Sequence, residues 1–114
     1  MSERVPKLIL IDINNALQNI LEFTDGMEFD DFVNDKKTVA AVERNFEIIG
    51  EATRQLPSDF VLSHHEIEWH KLISFRNVLI HEYFRIEVRI EWNIITEVVP
   101  GLKEKIQNLL SSLN

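Results

Sequence analysis

The chain has 114 residues, enough for one domain and too few for two ordinary ones, and its 45% hydrophobic and 27% charged residues are those of a globular protein with a sizeable core. No cysteine is present, which excludes disulfides, thiolate metal sites and a cysteine nucleophile and fits a reducing compartment. The formal net charge of −7 excludes a broad basic surface that coats nucleic acid, so any such contact is local, and an acidic remainder also suits a basic protein partner.

The apolar run Leu8 to Ile11 is stopped by Asp12, far short of a signal peptide or a membrane span, so a cytoplasmic protein without a membrane segment is expected. Pro6 suits a first helical turn, and Ile9, Ile13, Ala16, Ile20 and Phe23 then recur at spacings of four and three, which predicts a helix. Leu10, Leu17 and Leu21 widen its apolar face enough to touch two neighbours. Thr24, Asp25 and Gly26 end it.

Between Glu28 and Asn34, Phe29, Phe32 and Val33 sit among acids and predict a short helical turn or an ordered loop. Asp35 is placed to cap the next helix, whose stripe Val39, Val42, Phe46, Ile49, Thr53, Leu56 keeps helical spacing until Pro57 ends it. Gly50 lies inside that helix at a cost of about 1 kcal/mol relative to Ala, which points to close backbone approach by another element. Arg44, Glu47, Glu51 and Arg54 share one face, read as solvated and salt-bridged.

Ser58 to His65 reads as a polar connector with one possible turn around Phe60 and Leu62. In the following helix Trp69, Ile73, Arg76, Ile80 and Tyr83 mark one line, and Leu72, Phe75 and Leu79 the next. A helix apolar on two sides belongs in the middle of a bundle. Phe84 to Trp92 alternates like a strand, but nothing else in the chain reads as β, so its backbone groups would go unpaired and it is read as a helix start. Val88, Trp92, Ile95, Val99, Leu102, Ile106, Leu109 and Leu113 then carry helical spacing to the end, with Pro100 kinking that helix or splitting it in two. The expected fold is all-α, an antiparallel bundle of four to five helices forming a single domain over residues 1–114.

The stretch Phe75 to Phe84, FRNVLIHEYF, sets Arg76, Asn77, His81 and Tyr83 in an otherwise apolar run. Arg76 and Asn77 are costly to bury without partners, so a site at the edge of the core is one reason for their place. Histidine titrates near neutrality and arginine's planar fork matches phosphate oxygens, so His81 with Arg76 can serve as acid/base beside a cation. The plainer reading is a structural pair, with Arg76 bonded to a carboxylate such as Glu51. On an unbroken helix Arg76 and His81 point roughly 140° apart. They meet at one atom if the helix ends near His81, if the groove is wide, or if a two-fold dimer brings two copies together. Lys71, Arg76, Arg85 and Arg89 are the place where positive charges gather near this stretch. The HHEIEWH segment, His64 to His70, offers Glu66 and His70 one turn apart but lacks the H-E-x-x-H spacing of a zinc helix, so no metal site is expected there.

FRNVLIHEYF also resembles the hallmark R-x-x-x-x-H-x-Y of the HEPN superfamily, and within it the HepT-like toxins of prokaryotic two-gene modules. ERNFEIIGEA, Glu43 to Ala52, looks like the family's long helix, IEW like the opening of its motif helix, and VPGLKEKI like its last helix. Glu82 stands where many relatives carry glycine, and His65 and Glu68 where relatives often have prolines. The resemblance implies a homodimeric helical bundle whose Arg–His motifs line one cleft, and a metal-independent endoribonuclease acting on RNA without a cofactor. Arg76 and His81 would be catalytic and Asn77 supporting. It further implies a type VII-like toxin–antitoxin system in which a nucleotidyltransferase antitoxin transfers AMP to Tyr83. The alternative is a non-catalytic nucleotide-binding or scaffold subunit in complex with such a nucleotidyltransferase, and a third reading is a dimeric bundle with no ligand.

Overall fold

A computed structural model describes residues 4–82 and 87–113. Among these it forms seven helices and no strand: α1 (Arg4–Phe23), α2 (Phe29–Val33), α3 (Lys36–Arg54), α4 (Ser58–Ser63), α5 (Trp69–His81), α6 (Val88–Glu97) and α7 (Val99–Ser112). No described helix is long and apolar enough to cross a membrane. The all-α expectation is met. The count exceeds four to five because α2 and α4 are one-turn helices and because the last helix is divided.

Helix α1 ends where the sequence places its stop: the Thr24 hydroxyl donates to the Ile20 carbonyl at 2.8 Å, and Gly26 turns the chain with φ +75. Its wide apolar face does meet two neighbours, α3 and α7, and Leu10, Ile13, Leu17 and Ile20 are fully buried between them. The segment after Gly26 becomes α2, whose Phe32 is fully buried and packs on Trp92 with ring centroids 5.2 Å apart. Asp35 caps α3 as expected, accepting from the Thr38 amide at 3.1 Å and from its hydroxyl at 2.8 Å. These bonds hold the Asp35 carboxyl below its ordinary pKa. The α3 stripe Val42, Phe46, Ile49, Thr53 is buried against α1 and α5.

Of the two forms expected at Pro100, the split is found: α6 ends at Glu97, and α7 begins at Val99 with Pro100 in its first turn, where a missing N–H costs nothing. Helix α6 begins at Val88, so the reading of FRIEVRIEW as a helix start holds from there. Phe84, Arg85 and Ile86 lie outside the described residues.

Helix α5 is not central. Among the described residues its close packing is on α3, with Trp69 at its start against Phe60 of α4. Leu72 and Phe75 of its second line border an apolar cleft of about 160 Å3 lined on the far side by Ile94, Val98, Val99 and Leu102, while Ile80 on its first line is 42% exposed. The centre is held instead by α1 and α3, whose uninterrupted stripes bury more apolar surface than a line broken by Arg76 and Asn77.

One core position carries a charge-bearing group that the apolar periodicity conceals. Glu91 lies on the α6 face between Val88 and Ile95, has no exposure, and neither of its carboxyl oxygens has a hydrogen-bond partner. Burial, and then the neighbouring Glu43 carboxyl on α3, push its pKa up from 4.5 to about 9. The folded chain therefore holds a proton that the unfolded chain releases above its ordinary carboxyl range. Stability from this group is fully present below about pH 4.5 and is lost as pH rises toward 9, by at most about 1.4 kcal/mol per unit. Thermal melts at stepped pH should show the wild-type Tm falling from mildly acidic to alkaline conditions and Glu91→Gln, uncharged throughout, holding a flatter profile with a higher Tm at pH 8. Parallel profiles would show that Glu91 is not the group responsible.

Candidate active site

The suspect residues stand on α5, and the start of that helix is fixed by Trp69. Its ring is buried against Phe60 of α4, and its Nε1 donates to the His64 carbonyl at 2.9 Å, which ties the preceding connector to the helix. Glu68 sits before the first turn and pairs with Lys71 at 2.9 Å, which lowers the Glu68 pKa. Further along, the Phe75 ring meets the Phe46 ring of α3 edge-on at 5.1 Å.

The approach of the two helices is closest at Gly50. A Cβ there would sit 2.8 Å from the Arg76 Cγ and 2.9 Å from the Leu72 carbonyl oxygen, and nearer still to the Arg76 Cβ. The absent side chain is therefore the space in which the stem of Arg76 lies. This is the close approach that a glycine inside a helix implies.

From that seat the guanidinium spreads in two directions. Its Nη2 is 2.9 Å from the Glu51 Oε2 on α3, and its Nη1 donates to the Asn77 Oδ1 at 2.9 Å. Its Nε is buried with no partner, a donor left open at a cost of about 1–3 kcal/mol. The Arg76 side chain is 17% exposed, so the plainer reading of a carboxylate-bonded arginine is correct as geometry, while the tip of the fork still reaches the surface.

Arg76 and Asn77 are thus brought together, and His81 is not brought to them. Helix α5 is continuous from Trp69 to His81, which lies exposed in its last turn. Five residues of unbroken helix set the two side chains roughly 140° apart. The helix ends at His81 without a left-handed residue: Glu82 has φ −134 and its amide donates to the Val78 carbonyl at 2.8 Å, so glycine is not required there. Tyr83 and Arg85 lie outside the described residues. Of the four cations near this stretch, Lys71 pairs with Glu68 at 2.9 Å, Arg76 with Glu51, and the Arg89 guanidinium covers the Phe29 ring at 3.5 Å, while Arg85 lies outside the described residues. No cluster of three potential metal ligands exists among the described residues; His64 and Glu66 lie 3.8 Å apart.

The family model for HepT-like ribonucleases matches residues 13–109, which takes in α3, α5 and everything between them. The chain belongs to the HepT-like family. A relative from Thermococcus cleftensis, named a probable ribonuclease HepT, is 45% identical over 107 residues, 94% of this chain and 97% of its own length. A Methanocaldococcus jannaschii protein provisionally named an RNase is 36% identical over 113 residues, 99% of this chain and 93% of its own. A third, from Caldanaerobacter subterraneus subsp. tengcongensis and likewise provisionally named an RNase, is 35% identical over 107 residues, 94% of this chain and 96% of its own. No solved structure matches the chain significantly. In this HepT-like chain the four-residue charged face of α3 is expected to be solvated and salt-bridged. The structure confirms Arg44 with Glu47 at 3.4 Å and Arg54 with Glu51 at 3.5 Å, but Glu51 also reaches across to Arg76.

Gly50→Ala tests the seat of Arg76. Alanine gains about 1 kcal/mol of helix propensity, yet its methyl meets the Arg76 stem and the α5 backbone, so the helices must part. A net destabilisation of about 1–3 kcal/mol is expected, read as a lower denaturation midpoint with unchanged m-value. A midpoint at or above wild type would mean that the two helices separate at no cost.

Proposed function

We propose that this HepT-like protein is a metal-independent endoribonuclease in which Arg76 and His81 are catalytic, Asn77 is supporting and RNA is the substrate. Membership of a ribonuclease family supports the reaction class. The observation that carries the residue assignment is the Arg76 fork, fixed by Gly50, Glu51 and Asn77 with its tip at the surface of the helix that ends in His81. RNA supplies its own nucleophile, so few protein groups are needed. The His81 imidazole takes the proton of the 2′-hydroxyl as that oxygen attacks the adjacent phosphorus, and Arg76 stabilises the charge that grows on the phosphorane oxygens. The 5′-oxygen leaves and takes the proton from the His81 imidazolium, giving a 2′,3′-cyclic phosphate and a 5′-hydroxyl and restoring the neutral imidazole.

The divergence of Arg76 and His81 along α5 favours a homodimer in which each cleft draws on both chains. Exposed Ile80, beside His81 on α5, is suited to such pairing. We further propose that the protein is the toxin of a two-gene module and works in the cytoplasm. A nucleotidyltransferase antitoxin places AMP on Tyr83, adding a phosphate charge near the motif that repels RNA. The second reading, a non-catalytic nucleotide-binding or scaffold subunit bound to the same partner, is favoured by the net charge of −7 and by the carboxylate already on Arg76.

RNA cleavage in EDTA separates the two. Wild type should cut, whereas His81→Ala and Arg76→Ala should each lose about 100-fold or more. Equal cleavage by all three would point to a contaminating nuclease and reject the assignment. Mixing the two inactive variants tests the shared cleft, since mixed dimers should regain part of the activity; none regained would place both groups in one chain. With the antitoxin and ATP, a mass increase of an adenylate that disappears in Tyr83→Phe is expected, and modification elsewhere would remove Tyr83 from the switch.

A further inference from the structure

We propose that Arg54 is a second phosphate-binding residue, one that takes the RNA backbone phosphate next to the phosphate held at Arg76. The inference rests on the ribonuclease reading above and adds to it a residue outside the motif. Its basis is a shared atom. The Glu51 Oε2 lies 2.9 Å from the Arg76 Nη2 and 3.5 Å from the Arg54 Nη1, so one carboxylate oxygen holds two guanidinium groups from different helices. Two cations around one anion leave a net positive charge at this point of a chain whose total is −7.

The two halves of this bridge differ. Arg76 is 17% exposed and its bond to Glu51 is short, whereas Arg54 is 52% exposed and its contact is long and between neighbours on one helix. An exposed pair of that kind is weak and easily exchanged for a phosphate, while a part-buried one is not. An arriving strand therefore draws Arg54 outward and leaves Glu51 in place to hold Arg76. Among the described residues, Arg44 lies nearly three turns away along α3 and the Arg89 guanidinium lies over the Phe29 ring, whereas Arg54 shares an oxygen with Arg76 itself. Since Arg54 meets only backbone charge, the ligand is single-stranded RNA of any sequence.

Arg54 also stands in the last turn of α3, where a cation steadies the helix dipole, and the test must tell that role from phosphate binding. The measurement is anisotropy of a labelled single-stranded RNA with cleavage-inactive His81→Ala protein, titrated between about 50 and 200 mM salt. Adding Arg54→Ala should weaken binding and make the slope of log affinity against log salt shallower by about 0.7, the loss of one phosphate contact on a single strand. Arg54→Lys should keep the slope. In the otherwise wild-type chain, Arg54→Ala should raise KM and leave kcat unchanged. A helix-dipole role alone would lower Tm and leave the slope as it was. If Arg76→Ala flattens the slope and Arg54→Ala does not, the inference is overturned and the ribonuclease reading stands. If His81→Ala protein binds no RNA at all, both fall together.

Discussion

The contact between Gly50 and the stem of Arg76 is the constraint from which the rest of the site follows. Only a residue without a side chain lets α5 lie close enough to α3 for an arginine to enter between them. Once there, the arginine has little rotamer freedom left, and its fork falls between a carboxylate from α3 and the amide of the next residue on its own helix. Positioning is thereby achieved by backbone proximity and not by a dense polar network. For the proposed role of Arg76 on a phosphodiester, a cation set in place beforehand needs no reorganisation as charge develops.

Much of this was legible from residues alone, for identifiable reasons. The stripes of α1 and α3 have unbroken helical spacing and are buried as that spacing requires, and Asp35, Gly26 and Pro100 act as local geometry dictates. Gly50 was readable as a close approach because its cost within a helix demands one. Which element approached was not readable, since intrahelical spacing carries no information about the partner. The position of α5 was misjudged for a related reason. Two apolar lines say that a helix has two faces to cover, not that its own chain covers both.

Glu91 and the charged face of α3 mark the complementary limits. The apolar stripe through Val88, Trp92 and Ile95 leaves Glu91 out because a carboxyl conflicts with a core, and only packing reveals that it is buried and kept as the acid. On α3, spacing identified Glu51 and Arg54 as partners, and Glu51 was also the carboxylate expected for Arg76, but that one oxygen serves both was not legible. The tie from Glu51 to Arg76 crosses between helices and depends on tertiary contact.

Asn77 has a consequence of its own. An arginine can only donate, so the amide beside it must turn its oxygen inward, and the orientation of Asn77 follows from chemistry without further assumption. With the oxygen engaged, the exposed amide offers its N–H hydrogens on the other side. Beside the Glu51 carboxylate, which accepts, the Asn77 amide thus faces outward as a donor and suits a visiting group rich in lone pairs.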